Sequence, residues 1–155
     1  MKRLITILII ALGLFACQPE GRIYMEYQEL SPELEWLRKD AREFKVPIKD
    51  NSIAYNMSLS FRYVNGYEDQ VLKVKVTETS PGGIETVKDY DLKVREENGD
   101  YIGEVAYEIW DSEHMVESNK KYKETGTYTY VIEHNMPKDP LNSVMEIGVI
   151  LEKVR

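Results

Sequence analysis

The sequence has few of the residues that build metal sites and disulfide scaffolds. Its 155 residues include one cysteine, Cys17, and two histidines, His114 and His134. A single cysteine excludes an intrachain disulfide, and the two histidines match none of the spacings that place two imidazole ligands on one face of an element. We therefore expect no disulfide and no metal site.

The motifs of nucleophilic and phosphate chemistry are also missing. No serine lies in a nucleophile-elbow pattern, and Gly82-Gly83 lacks the lysine of a phosphate-binding loop. A glycosidase needs two carboxyl groups about 5 to 10 Å apart in a cleft, whereas the acids at 96–104 are better interpreted as a solvated rim. We predict no catalytic residue and no enzymatic activity.

Long hydrophobic runs are limited to residues 4–16, which follow Met1-Lys2-Arg3 and are too short to span a bilayer comfortably. The run ends in Leu14-Phe15-Ala16-Cys17, which resembles the lipobox of bacterial lipoproteins. We expect a signal peptide over 1–16, cleavage before Cys17, and a diacylglycerol and an N-acyl chain on Cys17 as the only non-protein groups. Because Gln18 and not Asp follows the cysteine, sorting rules resembling those of enteric bacteria favour the outer membrane.

The composition of the remaining chain suits one acidic domain. Cleavage leaves 139 of 155 residues, and removal of Lys2 and Arg3 leaves 18 basic against 27 acidic residues, a net charge of −9. A polyanion is repelled by such a chain, so we expect no nucleic-acid partner. We predict a lipidated tether over 17–30, in which Ile23 to Tyr27 could add an edge strand, and a single domain over 31–155.

The pattern of apolar residues indicates an all-β fold. Eleven tyrosines against three phenylalanines suit half-buried strands, and period-two alternation predicts strands near 53–63, 72–76, 90–95, 101–110, 126–133 and 143–151. A polar stretch at 111–119 should interrupt the pattern, and the proline-containing loop at 135–140 should cross between sheets or cover an end of the core. Ser31-Pro32-Glu33 predicts one short N-terminal helix ending near Ala41. The expected fold is an antiparallel β-sandwich of the jelly-roll or immunoglobulin-like kind.

A family resemblance covers nearly the whole chain after the signal peptide. It rests on Trp36, Phe44, Asp50, Tyr55, residues 59–63, Tyr67, residues 98–103, residues 126–128, residues 134–141 and residues 146–149. In this order and spacing these segments resemble the gliding-motility lipoproteins called GldH. The resemblance implies a non-enzymatic component of the cell envelope that is needed for surface gliding in bacteria whose gliding machinery is tied to type IX secretion. It supplies no catalytic residues.

These observations lead to one functional hypothesis and one main rival. An enzyme ranks third, because it would need a cleft containing paired carboxylates or a His-acid pair with perturbed pKa. The leading hypothesis is an accessory or assembly lipoprotein that is anchored to the membrane by lipid and contacts other gliding or secretion proteins. The residues chosen for that contact lie at strand ends or in the proline-containing loop: Arg62, Trp110, His134, Met136 and Lys138.

The rival is a glycan-binding module, in which aromatic side chains form a platform for sugar stacking. The candidates are Trp36, Trp110, Tyr63, Tyr67, Tyr101 and Tyr122. Core packing explains most of these side chains more simply, and we favour it.

Overall fold

Two antiparallel sheets form the part of the chain that the computed structural model describes, residues 21–154. The strands are β1 (Arg22–Glu29), β2 (Glu35–Trp36), β3 (Arg42–Ile48), β4 (Tyr55–Val64), β5 (Val71–Thr79), β6 (Glu85–Lys93), β7 (Glu104–Ala106), β8 (Ile109–Lys120), β9 (Gly126–His134), β10 (Leu141–Asn142) and β11 (Val144–Lys153). The five-stranded sheet has the order β1-β11-β4-β8-β7, the four-stranded sheet has the order β3-β9-β5-β6, and β2 pairs with β10. The predicted all-β antiparallel fold is confirmed.

The core lies between the inner faces of the two sheets. In β4 the side chains of Met57, Leu59 and Phe61 are at most 1% exposed, because every second residue of the strand turns inward. The hydroxyl of the buried Tyr63 shares its one proton between the carbonyl oxygens of Val94, at 2.8 Å, and Ile102, at 2.6 Å. The buried hydroxyls of Tyr122 and Tyr130 lie 2.8 Å from each other, whereas that of Tyr67 has no partner among the described residues. The tyrosine-rich strands therefore provide both apolar area and polar ties to the loops.

The helix predicted after Ser31 is absent. Ser31 does accept a hydrogen bond from the amide of Glu33, at 3.0 Å, but only one turn follows. Leu34 then adopts a left-handed backbone, with φ of 59°, and Trp36 enters the core on the short strand β2. Burial of the indole overrides a local capping signal that is worth about 1 kcal/mol. No helix occurs anywhere in residues 21–154, so none there has the length and apolar character to cross a membrane.

The strand predicted over 101–110 is instead a tight hairpin. The chain turns at Tyr107 and Glu108, between β7 and β8, and the polar stretch predicted to interrupt the pattern belongs to β8. The prediction was wrong because β8 carries polar side chains on its outward face and pairs with β7 over only three residues. Exposed polar residues such as Glu113 meet water, and the buried Ser112 donates a hydrogen bond to the carbonyl oxygen of Phe61 at 3.1 Å, so neither kind breaks the strand.

The domain begins earlier than predicted. Residues 22–29, which were assigned to the tether, form strand β1 and pair with β11, so the edge strand suggested at Ile23 to Tyr27 is present. Gly148 of β11 pairs directly with Tyr27 of β1, and its lack of a Cβ allows the two strands to lie close together. A Cβ at Gly148 would overlap the ring of Tyr27 and lie 2.9 Å from the carbonyl oxygen of Glu26. The predicted signal peptide and Cys17 lie outside the described residues.

The connections between strands collect at two opposite ends of the sandwich. We call residues 30–41, 65–70, 94–108 and 135–143 the distal end, and residues 21, 49–54, 80–84, 121–125 and 153–154 the Gly21 end. Gly21 accepts a hydrogen bond from the amide of Lys153, at 3.0 Å, so the chain enters and leaves the domain at the same end. The Gly21 end therefore contains the first described residue, and the distal end lies at the opposite end of the strands.

Candidate functional site

The distal end gathers four of the five residues that the sequence analysis selected for partner contact. Trp110, His134, Met136 and Lys138 all belong to segments that meet there, and Arg62 lies two residues before the end of β4. They lie close together because β4 and β9 end, and β8 begins, on the same side of the sandwich. Their exposure differs sharply, and this difference separates structural residues from surface residues.

The side chain of Met136 is buried beneath the loop that connects the two sheets. Its side chain is 4% exposed, and its amide points at Nδ1 of His134 at 3.4 Å. The guanidinium of Arg38 donates to the carbonyl oxygen of Met136, and the amide of Arg38 donates to Oδ1 of Asp139 at 3.0 Å. Met136 closes the core and is not positioned to touch a partner.

His134 is also a core residue. Its ring is fully buried, and its centroid lies 5.3 Å from that of Trp36 in an edge-on arrangement. Because Nδ1 accepts from the amide of Met136, the proton of the neutral ring belongs on Nε2, which lies 3.6 Å from Oδ1 of Asp139, beyond hydrogen-bond distance. Burial lowers the pKa of His134, although the nearby Asp139 carboxylate opposes that change. His134 is therefore held neutral inside the domain and is not available to a partner.

Trp110 contacts two loops of the distal end, residues 65–70 and 94–108. Its Nε1 donates to Oδ1 of Asn65 at 2.8 Å, and its ring lies 5.2 Å from that of Tyr101. The guanidinium carbon of Arg95 lies 4.8 Å from the centroid of the Tyr101 ring, and the guanidinium donates to the carbonyl oxygen of Gly99 at 2.8 Å. Trp110 is half-buried, so part of its ring remains at the surface.

Arg62 is already engaged by two carboxylates on the outer face of the five-stranded sheet. Its Nε and Nη2 lie 2.6 and 3.1 Å from the two oxygens of Asp111, and its Nη1 lies 2.9 Å from Oε2 of Glu146. The hydrogen bonds to Asp111 raise the pKa of Arg62, while partial burial opposes that change. Lys138 is exposed and pairs with Glu68 at 2.8 Å. Both cations are held by acids of their own domain.

A residue that the sequence analysis did not select is the most exposed aromatic of the distal end. Tyr107 is 100% exposed at the tip of the β7–β8 hairpin, and its backbone has a φ of 60°. Primed two-residue hairpin turns normally use Gly, Asn or Asp where φ is positive, since a bulky residue there is strained. No turn residue stands at 107 or 108, so the sequence carries no local signal of this hairpin.

Tyr107 borders an apolar recess of about 740 Å³. Leu34, the second large residue with a left-handed backbone, lines the same recess together with Val64 and Ile109. Val105, on the same hairpin, is 54% exposed. Residues in sparsely populated backbone conformations persist only where surrounding structure or function holds them, and here two of them flank one recess.

Charge separates the two ends of the domain. The distal end carries eleven acidic and four basic side chains, a net charge of −7, and none of the eleven acids is buried. The acids are Glu33, Glu35, Asp40, Glu68, Asp69, Glu96, Glu97, Asp100, Glu104, Glu108 and Asp139, and the bases are Arg38, Lys39, Arg95 and Lys138. The arrangement suits contact with a positively charged surface.

The open seam between the two sheets contains a second recess, of about 490 Å³. At its floor Lys120 lies 2.5 Å from carboxylate oxygens of both Glu78 and Glu117, and its ammonium lies 5.3 Å from the ring of Tyr122. Burial works to lower the pKa of Lys120, but the two carboxylates outweigh it and the pKa is raised. The charged groups satisfy one another, so this cluster ties β5 to β8 across the seam.

The aromatic residues considered for sugar stacking are mostly core residues. Four of the six are buried and two, Tyr101 and Trp110, are half-buried. The buried ones are Trp36, Tyr63, Tyr67 and Tyr122. Core packing accounts for these four rings, as the sequence analysis favoured. Within residues 21–154 no three metal-ligating side chains come close enough together to hold an ion.

Comparison with known proteins identifies the family. The chain is 24% identical over 156 aligned residues to the gliding motility lipoprotein GldH homolog of Christiangramia forsetii, covering 95% of this chain and 93% of that one. Among solved structures it aligns with the carbohydrate-binding module TmCBM61, determined in complex with β-1,4-galactotriose, at a TM-score of 0.30 and 14% identity, covering 74% of this chain and 61% of that chain. A likeness this low indicates neither ligand nor function. The GldH lipoprotein family model matches residues 22–151, and the chain therefore belongs to the GldH lipoprotein family.

Proposed function

We propose that this protein is a non-enzymatic accessory component of the gliding apparatus and of the type IX secretion machinery coupled to it. Membership of a lipoprotein family implies a membrane-anchored protein of the cell envelope. In our proposal, acyl chains on Cys17 anchor the protein in the outer membrane. Gln18, the residue after the acylated cysteine, directs the protein to that membrane. Two acyl chains together give stable anchoring, since each buried methylene contributes about 0.8 kcal/mol.

The observation that carries the docking role is the fully exposed Tyr107 on a strained hairpin. Its ring contributes no burial to its own domain, while its backbone conformation costs roughly 1 to 2 kcal/mol relative to an unstrained residue. Tyrosine is enriched at interface centres because it adds large contact area with little loss of side-chain entropy. We assign Tyr107, with the apolar recess beside it, to the centre of a protein-binding surface.

The surroundings of Tyr107 define the chemistry of its partner. Exposed acids, including Glu104 and Glu108, flank the hairpin, and the whole distal end has a net charge of −7. A complementary partner presents an apolar pocket with a rim of Lys or Arg, because like charges facing each other across an interface cost several kcal/mol. The partner is therefore an envelope protein with a basic surface.

Affinity capture from detergent-solubilised membranes tests this proposal. Lipidated wild-type protein should retain other gliding or type IX secretion proteins, and Tyr107→Ala should lose most of that retention. Val87→Ala is the matched control, because Val87 is 56% exposed but lies on β6, away from the distal end. Cys17→Ala serves as the unanchored control. Equal capture by the Tyr107 and Val87 variants would remove Tyr107 from the interface.

A deletion strain tests the role in the cell. Loss of surface gliding together with loss of secreted type IX cargo is expected, and complementation with the Tyr107→Ala gene should restore protein level but not gliding. Normal gliding and normal cargo secretion in the deletion strain would refute the proposal. Capture of glycan alone would instead favour the glycan-binding hypothesis. Titration with cell-wall or polysaccharide fragments, followed by tryptophan fluorescence, would test that hypothesis.

A further inference from the structure

The Gly21 end carries four lysines that form no ion pair with any other residue of 21–154. Lys49, Lys121, Lys123 and Lys153 are all exposed there. The lysines that form ion pairs within residues 21–154 are others, namely Lys45, Lys75, Lys88, Lys93, Lys120 and Lys138. Four of the six lysines without an ion pair in the described chain therefore lie at this one end, the other two being Lys39 and Lys73.

The two acids of the Gly21 end are tied to their own loops. Oδ1 of Asp50 accepts from the amide and the hydroxyl of Ser52, at 2.9 and 2.6 Å. Oε1 of Glu124 accepts from the amide of Gly82 at 3.0 Å. The segments of this end have a net charge of +2, with Glu85 adjoining them on β6, against −7 at the distal end. The domain is thus electrically polar along its length.

An apolar side chain stands among these lysines. Ile84 is 65% exposed in the turn between β5 and β6. Hydrogen bonds from the amide of Ser80 to the carbonyl oxygen of Ile84 and from the amide of Gly83 to that of Ser80, both 2.9 Å, hold the turn in shape. A single exposed isoleucine is common on protein surfaces, but this one is presented by a fixed turn beside unpaired cations, the combination found on surfaces that enter the headgroup region of a bilayer.

The tether also directs this end toward the membrane. Cys17 precedes Gly21 by four residues, which span at most about 14 Å when extended. A lipid on Cys17 therefore keeps the Gly21 end within reach of the bilayer surface. Anionic headgroups attract basic residues by roughly 1 kcal/mol for each Lys close to the surface and repel an acidic distal end.

We infer that the Gly21 end lies against anionic lipid headgroups, with Ile84 in the interface and its lysines on the headgroup charges, so that the distal end points away from the membrane. This inference rests on the lipidation of Cys17 in the proposed function, but not on a role in gliding. The domain is then held upright by its charge distribution, with Tyr107 directed away from the membrane.

Site-specific fluorescence tests this orientation. Cys17 is the only cysteine, and its thiol is consumed by acylation, so Ile84→Cys and Tyr107→Cys each give the full lipidated chain one free thiol. Each variant is labelled with an environment-sensitive dye and added to vesicles of phosphatidylcholine alone or mixed with phosphatidylglycerol. The dye at 84 should shift to shorter wavelength and resist quenching by iodide only on anionic vesicles, and the dye at 107 should respond to neither lipid.

Charge variants sharpen the test. In the Ile84→Cys background, Lys121→Gln with Lys123→Gln should lower the ratio of docked to undocked protein by about 25-fold, or about fivefold for each lysine. The matched pair Lys39→Gln with Lys73→Gln should leave that ratio unchanged.

Two results would overturn the inference. One is the same response of the dyes at 84 and 107 on anionic vesicles, and the other is a purified protein whose mass shows no acyl chains. Normal gliding in a deletion strain would end the proposed function but leave this orientation standing.

Discussion

Tyr107→Asn should stabilise the domain while weakening its binding. The tyrosine ring is fully exposed, so its removal takes no apolar area out of the core. Its backbone, with a φ of 60°, lies in the left-handed region that costs a bulky L-residue roughly 1 to 2 kcal/mol and that asparagine tolerates. We expect the free energy of unfolding to rise by about 1 kcal/mol.

For a domain of this size that gain corresponds to an increase in Tm of about 3 to 4 °C. Thermal unfolding of the acylated protein in detergent, followed by circular dichroism, measures it. Tyr107→Phe is the matched control: it keeps the strained backbone and the aromatic ring, so both Tm and partner capture should stay at the wild-type level. An unchanged or lower Tm in the asparagine variant would refute the reasoning from backbone strain.

Three further predictions concern other parts of the structure. Arg62→Ala should lower stability to urea by only about 1 kcal/mol, because the side chain is 36% exposed and its ion pairs are screened by solvent; a loss several times larger would contradict this. Gly148→Ala should cost roughly 1 to 3 kcal/mol, and Tyr27→Ala in the same protein should recover part of the loss, since the new Cβ meets that ring; a neutral Gly148→Ala would contradict the close approach. The lowered pKa of His134 means that the unfolded chain binds a proton more readily than the folded one, so stability is full above about pH 6.5 and declines as pH falls below it. His134→Gln should flatten that decline in urea titrations between about pH 6.5 and 5, and an equal slope in both proteins would show that another group causes it.

Much of the fold was predictable because its signal is local. The alternation from Tyr55 to Tyr63 identifies β4 without reference to the rest of the chain, since one buried face imposes a period of two. The proline-containing loop after His134 follows from the chemistry of single residues, because proline cannot donate a hydrogen bond to a strand ladder. Local signals failed where a distant contact decided, as at Trp36, whose burial converts a predicted helix into a turn and strand β2.

The predicted contact residues show a second limit. Trp110, His134, Met136 and Lys138 were chosen for their position at a strand end or in a loop, and the structure places all four at one end of the sandwich. Exposure could not be inferred in the same way, because the loop at 135–140 folds back over the core and buries two of the four. Tyr107 was missed because its turn contains none of the residues that normally mark a hairpin.

The sequence by itself determined the period-two strands, the impossibility of an intrachain disulfide with one cysteine, the expected lipid anchor at Cys17 and the resemblance to one lipoprotein family. These follow from residue types and short-range spacing, which are written along the chain. The tertiary structure alone decided which loops share an end. It therefore decided that acids scattered from Glu33 to Asp139 form one surface, while four lysines with no ion pair among residues 21–154 lie at the opposite end. Charge and exposure are properties of surfaces, and the surfaces exist only after antiparallel pairing has sorted the connections between two ends.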